Sequence, residues 1–305
     1  MAQGAVSTLL TGALPRLRRV TRLLGVGRGW GRIYVAGIPA VVLASLVVVA
    51  VFAPLLAPHS PTTPDLSLRY QPPFWEAEGS MSYPLGTDEL GRDILSRLIH
   101  GARASLTFAV LAVALGGAVG TLLGLIAGYY GSWPDMIIMR VVDLAMAIPF
   151  ILLAIVMATV FGPGLTNLVI VVTLLLWSLY TRQIRAETLS IKQRDFVLAA
   201  KVVGCSPWRI IGVHIFPNLI PTVIVLATLQ VGWVILLESA MSFLGVGLSP
   251  PKAAWGLMVA DGQAVIDTAW WVSVFPVLAI AATVLSLNLL GDWLRDRLDP
   301  RLRGI

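Results

Sequence analysis

The side chains able to do chemistry are few in this chain, and their spacing argues against catalysis. The three histidines, His59, His100 and His214, are scattered without metal-ligand spacing, so they define no metal site. The three lysines, Lys192, Lys201 and Lys252, follow Ile, Ala and Pro. A phosphate-binding loop needs Gly-Lys-Ser/Thr, with the lysine on the phosphates and the hydroxyl on magnesium, so the chain carries no nucleotide site. Neither His-Glu-x-x-His nor Gly-x-Ser-x-Gly occurs. The single cysteine, Cys205, permits no internal disulfide. Two acids, Asp143 and Glu238, stand in or beside long apolar stretches. Their meaning depends on the elements that hold them.

Those elements are membrane helices. The 305 residues are 57% hydrophobic and 12% charged, with mean hydropathy +0.85. A soluble domain carries about 25% charged residues, so this surface could not cover a water-soluble core. The composition also excludes a disordered or collagen-like chain. A basic tail over 1–32, with six arginines and no acid, precedes an apolar run over 33–57 that is longer than a secretory h-region. That run reads as an uncleaved first transmembrane helix. An external loop over 58–103 follows, then a core over 104–291 and a tail over 292–305. Within the core, five spans are expected at roughly 104–128, 136–161, 165–181, 219–241 and 270–291. None alternates in polarity as a barrel strand would, so the expected fold is all-α with six spans.

Charge orients the bundle. With a cytoplasmic N-terminus, 17 of the 22 Lys and Arg fall in segments on the inner side and five on the outer. This split places both termini in the cytoplasm and explains the net +6 without nucleic acid. Gly116, Gly120, Gly124 and Gly128 line one face of the second span, where a neighbouring backbone can approach closely.

In this frame the acids acquire roles. Asp143 follows Arg140 by three residues and is expected to pair with it on one helix face. Glu238 sits about 19 residues, or ~28 Å, into the fifth span, hence near the outer interface. It either caps or salt-bridges there, or lines an outer gate with Ser239, Ser242 and Phe243. Outside, 88–100 reads as an amphipathic helix lying on the membrane or the bundle. Leu90, Ile94, Leu95, Leu98 and Ile99 make its apolar side, and Asp88, Arg92, Asp93, Arg97 and His100 fall mostly elsewhere.

The internal loop over 182–218 is the most specific stretch. Leu198, Ala199, Ala200, Val202 and Val203 suggest a short helix, and Gly204 a break at positive φ. Ser206 then reads as an N-cap with Pro207 at the first position of a second short helix carrying Trp208 and Arg209. Pro217 and Pro221 bracket the start of the next span. Such a hairpin either docks in another protein's groove or lies on lipid headgroups.

The pattern Ala199-Ala200, Gly204, Pro217 resembles the EAA loop of ABC-importer permeases, with Leu198 where the leading Glu stands and His214-x-Phe216-Pro217 at its end. Gly86-Thr87-Asp88 with Gly91-Arg92-Asp93 resembles the external signature of dipeptide, oligopeptide and nickel permeases. Gly131-Ser132-Trp133 with Asp135, then Met139-Arg140, Asp143 and Pro149, resembles the family's segment between the second and third spans. Glu238 through Gly245 resembles its ESALSFLG element. The resemblance spans about residues 33–297 and is closest to the C-type subunit of the dipeptide permease pair. It implies a type I ABC-importer transmembrane domain in a bacterial plasma membrane, non-catalytic and paired with a paralogous permease as a heterodimer. It further implies one or two ABC ATPase subunits that hold ATP and magnesium, and an external substrate-binding protein. The cargo would be di- or oligopeptides, nickel complexes, haem or glutathione. Residues Ala199, Ala200, Gly204, Ser206, Pro207, Trp208, Arg209 and Pro217 would couple to the ATPase. The other function weighed is an ion-coupled secondary transporter, which typically keeps ionisable groups or internal repeats at the midplane; no repeat is evident.

Overall fold

A computed structural model describes residues 30–248 and 251–298. Most of the tail expected over 1–32, and the end of that over 292–305, lie outside the described residues. Among those described the chain is helical, with one isolated bridge between Thr87 and Asp93. The helices are α1 (Trp30–Val51), α2 (Ile94–Tyr130), α3 (Ser132–Ala147), α4 (Phe150–Phe161) and α5 (Leu165–Ile191). They continue as α6 (Asp195–Val202), α7 (Pro207–Phe243), α8 (Trp255–Gln263) and α9 (Trp271–Leu298).

Helices α2, α5, α7 and α9 are each long and apolar enough to cross a membrane. The span expected over 136–161 is not one straight helix: α3 and α4 meet at 79°. Proline disfavours helical geometry in the residue before it, and Ile148 is accordingly extended (φ −78°, ψ 122°) ahead of Pro149. Only when counted together as one broken span do α3 and α4 bring the number to five, and α1 contributes a shorter apolar stretch, Ala36–Val51.

Two helices outrun their expected bounds. The separate amphipathic helix over 88–100 does not form: α2 starts at Ile94, capped by Asp93, whose carboxylate accepts the Leu95 and Ser96 amides at 3.3 and 3.0 Å. At the other expected break, the second short helix of the internal loop runs without interruption into α7. A π-helical stretch at Ile210–Ile215 precedes Pro217. The wider turn accommodates a ring that lacks an amide hydrogen and would clash with the carbonyl one turn back.

The bundle centres on α2 packed along α5, as the glycine stripe predicted. A Cβ at Gly116, Gly120 or Gly124 would lie 2.5–2.9 Å from backbone or Cβ atoms of Leu176, Trp177, Tyr180, Thr181 or Ile184. Around this pair, Phe108, Val172, Leu176, Val234, Ile235 and Trp255 form the main core. A second, smaller core gathers Leu125, Ile184, Val197, Ala200, Ile211, Ile215 and Leu219 beneath the α6–α7 turn.

Candidate functional site

The α6–α7 turn is built by local rules. Gly204 takes φ +80°, its amide donates to the Lys201 carbonyl at 3.0 Å, and the Cys205 amide reaches the Ala200 carbonyl at 3.0 Å. These two bonds close α6 with a left-handed cap that only glycine adopts freely. Ser206 occupies the N-cap of the next helix with Pro207 in its first turn, although its hydroxyl makes no capping bond.

The turn has two distinct sides. Val197 and Ala200 point into the second core, whereas Val202, Val203 and Trp208 are 87%, 82% and 65% exposed. Ala199, Ser206, Pro207, Arg209 and Pro217 are exposed as well. Large apolar side chains left bare beside a rigid inner face mark a surface made for a partner or for lipid.

Residues missed from the sequence anchor this turn to the end of α2. The Lys192 ammonium donates to the Tyr129 carbonyl, and Lys192 and Lys201 each lie 5.6 Å from the centre of the Tyr129 ring. Burial, together with the like charge of Lys201, pushes the Lys192 ammonium below its ordinary value. Tyr130 meets Trp208 edge-on at 6.5 Å. Nearby, Arg185 grips both oxygens of Asp135. The available signal was the Tyr129-Tyr130 pair next to Gly131 at a predicted helix end.

At the other end of α2 the external signature forms a buried knot. Asp88 is its hub: one carboxylate oxygen accepts the Leu90 and Arg92 amides at 2.9 Å each. The other accepts Arg92 Nε at 2.7 Å and the Arg97 guanidinium. Arg97 also reaches Asp261 of α8 at 3.4 Å. Burial holds the Asp261 carboxyl above the ordinary carboxylate range, against the pull of Arg97 and Arg92. Thr87 accepts the Trp271 indole N–H on its carbonyl at 3.0 Å, while Gly86 and Gly91 turn the loop at positive φ. Asp88, Arg92, Asp93 and Arg97 are all at most 6% exposed. The polar side of the expected amphipathic helix therefore faces inward, because each charge meets a partner folded over it. These residues hold the loop ahead of α2 to the bundle.

Of the expected gate residues, Glu238 and Ser242 are buried together, Ser239 is partly exposed and Phe243 is exposed. Glu238 is fully buried and neither caps nor salt-bridges; it accepts the hydroxyls of Ser242 at 2.8 Å and Ser105 at 3.3 Å. Ser239 donates to the Ile235 carbonyl at 2.9 Å, and Phe243 is exposed. Glu238 thus ties α7 to α2 through neutral donors. Asp143 pairs with Arg182 of α5 at 2.9 Å rather than with Arg140. Among the described residues no cluster of His, Cys, Asp or Glu could hold a metal ion.

A bundle of long apolar helices, knotted by charge at one end and presenting an apolar turn at the other, defines the class of polytopic helical membrane proteins. The comparisons with known proteins specify which kind. The model of the binding-protein-dependent transport system inner membrane component matches residues 120–304, and that of the N-terminal TM domain of oligopeptide transport permease C matches 35–73. The chain belongs to the binding-protein-dependent transport system inner membrane component family, the non-catalytic permease subunits of ABC importers. It is 42% identical to the di/tripeptide transport system permease protein DppC of Pseudomonas aeruginosa, over 85% of this chain and 86% of that protein. Identity to the dipeptide transport system permease protein DppC of Escherichia coli K12 is 44%, over 84% and 85% of the two chains. The glutathione transport system permease protein GsiD of Pectobacterium atrosepticum is 41% identical, over 74% and 75%. A chain of the MetNI methionine ABC transporter in an inward-facing conformation superposes with TM-score 0.57, covering 68% of this chain and 98% of that one. At 17% identity that likeness concerns the fold alone.

Proposed function

We propose that this chain is half of a heterodimeric importer for di- or oligopeptides or glutathione-like solutes. A paralogous permease supplies the other half, an external binding protein delivers the solute, and one or two ABC ATPase subunits hold ATP and magnesium. The α6–α7 turn docks in the ATPase and carries its closure into the bundle. The supporting observation is the two-sided turn: Val202, Val203 and Trp208 are bare while Val197 and Ala200 fix the inner side. The relatives' names support the cargo.

The test exploits Gly204, where a Cβ would meet nothing within 4 Å, so substitution acts through the backbone alone. Valine at φ near +80° is strained by about 1–3 kcal/mol, whereas asparagine tolerates that region. In reconstituted transporter, Gly204→Val is expected to lower peptide uptake about tenfold, equivalent to about 1.4 kcal/mol. Membrane insertion should be unchanged, and Gly204→Asn should stay close to wild type. Unimpaired coupling in both variants would mean that the turn only rests on lipid headgroups.

The same reading places six spans in the membrane with both termini in the cytoplasm. In a Cys205→Ala background, an impermeant thiol reagent applied to whole cells should label Ser82→Cys and spare Ser206→Cys. The opposite pattern would invert the orientation and remove the turn from the cytoplasm.

A further inference from the structure

Helix α9 sets a depth scale for the loop ahead of α2. Its stretch from Trp271 to Leu290 holds no charged residue, and Asp292 is the first to follow. Those 20 residues rise about 30 Å, the thickness of a bilayer's hydrocarbon core. One face of α9 is buried: Ile280 and Leu287 lie in the core, and a Cβ on Gly291 would stand 2.8 Å from Leu229 of α7. The opposite face carries Phe275, Leu278, Ala282, Leu285, Leu289 and Trp293, spaced three or four apart along the whole run. Leu278 and Leu285 are 58% and 61% exposed. Helices that pack on one another in a membrane meet through small side chains, as α2 meets α5 across its glycines. This face presents leucines instead, a surface suited to acyl chains.

Aromatic groups close both ends of that face. At the Leu290 end, the Arg297 guanidinium lies 5.3 Å from the centre of the Trp293 ring. At the Trp271 end the loop adds its own rings. Trp75 meets Phe275 edge-on at 6.1 Å, Phe74 meets Trp75 at 5.0 Å, and Trp270 tilts against Phe275 at 5.7 Å. The Trp270 indole N–H donates to Glu76 at 3.0 Å, which ties the loop to the helix end. Phe74 and Trp75 are nonetheless 49% and 50% exposed. Phe275 comes four residues after Trp271, hence about 6 Å inside the boundary. Half-bare rings at that depth, with Glu76 and the exposed Glu78 next to them in the chain, fit the level where headgroups meet acyl chains. Aromatic side chains collect there because one part of the ring can stay apolar while the other meets polar groups.

We propose that Phe74 and Trp75 form an interfacial anchor in the leaflet at the Trp271 end of α9, the outer leaflet in the orientation given above. Their rings insert between headgroups and acyl chains, and lipid covers the leucine face of α9 below them. The partner of this surface is a phospholipid layer, not the paired permease or the external binding protein. The anchor holds the loop, and through it the start of α2, at a fixed depth. The inference is independent of the cargo.

The test uses the complete transporter in nanodiscs of phosphatidylcholine and phosphatidylglycerol, with Cys205→Ala as parent. A nitroxide is attached in turn to Phe74→Cys, Trp75→Cys, Leu278→Cys and Leu285→Cys. All four positions are exposed in this chain, so the labelled proteins should keep the parent's folded yield. Oxygen partitions into lipid and a nickel chelate stays in water, so their relative effects on nitroxide relaxation report depth. The oxygen effect should exceed the nickel effect several-fold at Leu285 and by less at Leu278, and the two should nearly balance at Phe74 and Trp75. Labels at Leu278 and Leu285 that are immobilised and shielded from both relaxants would put the paired permease on this face. Nickel dominance at both Phe74 and Trp75 would place the loop in water. Shielding of those two positions only after loaded binding protein is added would assign the patch to that protein. Each of these three results overturns the anchor.

Discussion

Valine in place of Gly120 is expected to abolish the folded permease. A Cβ at this position would stand 2.5 Å from the Trp177 carbonyl oxygen, 2.5 Å from the Tyr180 Cβ and 3.1 Å from the Thr181 amide. Carbon atoms pack at about 3.5–4.0 Å, so α2 and α5 would have to part by about 1 Å along their whole contact. None of the three opposing atoms is the end of a flexible side chain, and the clash cannot be relieved by a rotamer change. Overpacking typically destabilises by about 1–3 kcal/mol, and a clash against main chain lies at the upper end or beyond. Gly120→Ala carries the same Cβ and should already lower thermal stability in detergent. Gly37 of α1 is the control, because a Cβ there would meet nothing within 4 Å. Gly37→Ala should match wild type in folded yield and melting temperature. Equal yields for the valine variant and the control would mean that α2 and α5 are not held at this distance in the membrane.

Arg97→Met should be nearly as damaging, by about 3–5 kcal/mol, the usual consequence of stripping one partner from a buried ion pair. Asp88 and Arg97 are each 1% exposed, so neither water nor a surface ion can replace the lost partner. Asp261 would at the same time lose its nearer cation, Arg97 at 3.4 Å, and keep Arg92 only at 4.0 Å. Asp88→Asn is expected to harm for a different reason. Its remaining carbonyl oxygen could still accept the Leu90 and Arg92 amides, but an NH₂ group would then face both guanidiniums. Because the two residues act as one unit, the double variant should lose markedly less than the sum of the single losses. Thermal unfolding of all four proteins measures this coupling. Strict additivity would show that the charged knot is not an energetic unit.

The contrast between Gly120 and Arg97 marks where local sequence information stops. Four glycines spaced four apart define a helix face whatever lies opposite, since 3.6 residues per turn carries them round together; the close approach of a neighbouring helix followed from this spacing, and the structure identifies that helix as α5. The break at Gly204 was legible for the same reason. A left-handed residue closing a short apolar helix ahead of Ser206-Pro207 is a matter of neighbours a few bonds apart. Composition fixed the membrane class, since side chains that lack polar atoms must be covered by lipid or by one another.

The charged residues around the start of α2 had no such local signature. Periodicity set Arg92, Asp93 and Arg97 apart from the apolar face of a helix, and charge apart from an apolar face reads as exposure. Their burial depends on Asp88 lying beside them in a turn and on Asp261, which is 164 residues from Arg97 along the chain. Asp143 similarly turned from Arg140 to Arg182, 39 residues away, once α3 and α5 were placed side by side. Glu238 found serine hydroxyls on two helices rather than a cation. The bend at Pro149 was hidden inside a continuous apolar run, because hydropathy records how far a segment is buried and not the direction it takes. The sequence by itself therefore determined that long apolar helices build the chain, that Gly204 breaks the helical hairpin and that the glycine face of α2 packs closely. Only the tertiary structure decided which charges and hydroxyls meet, because a polar group's partner is chosen by distance in space, and residues far apart in the chain become neighbours only when the helices pack.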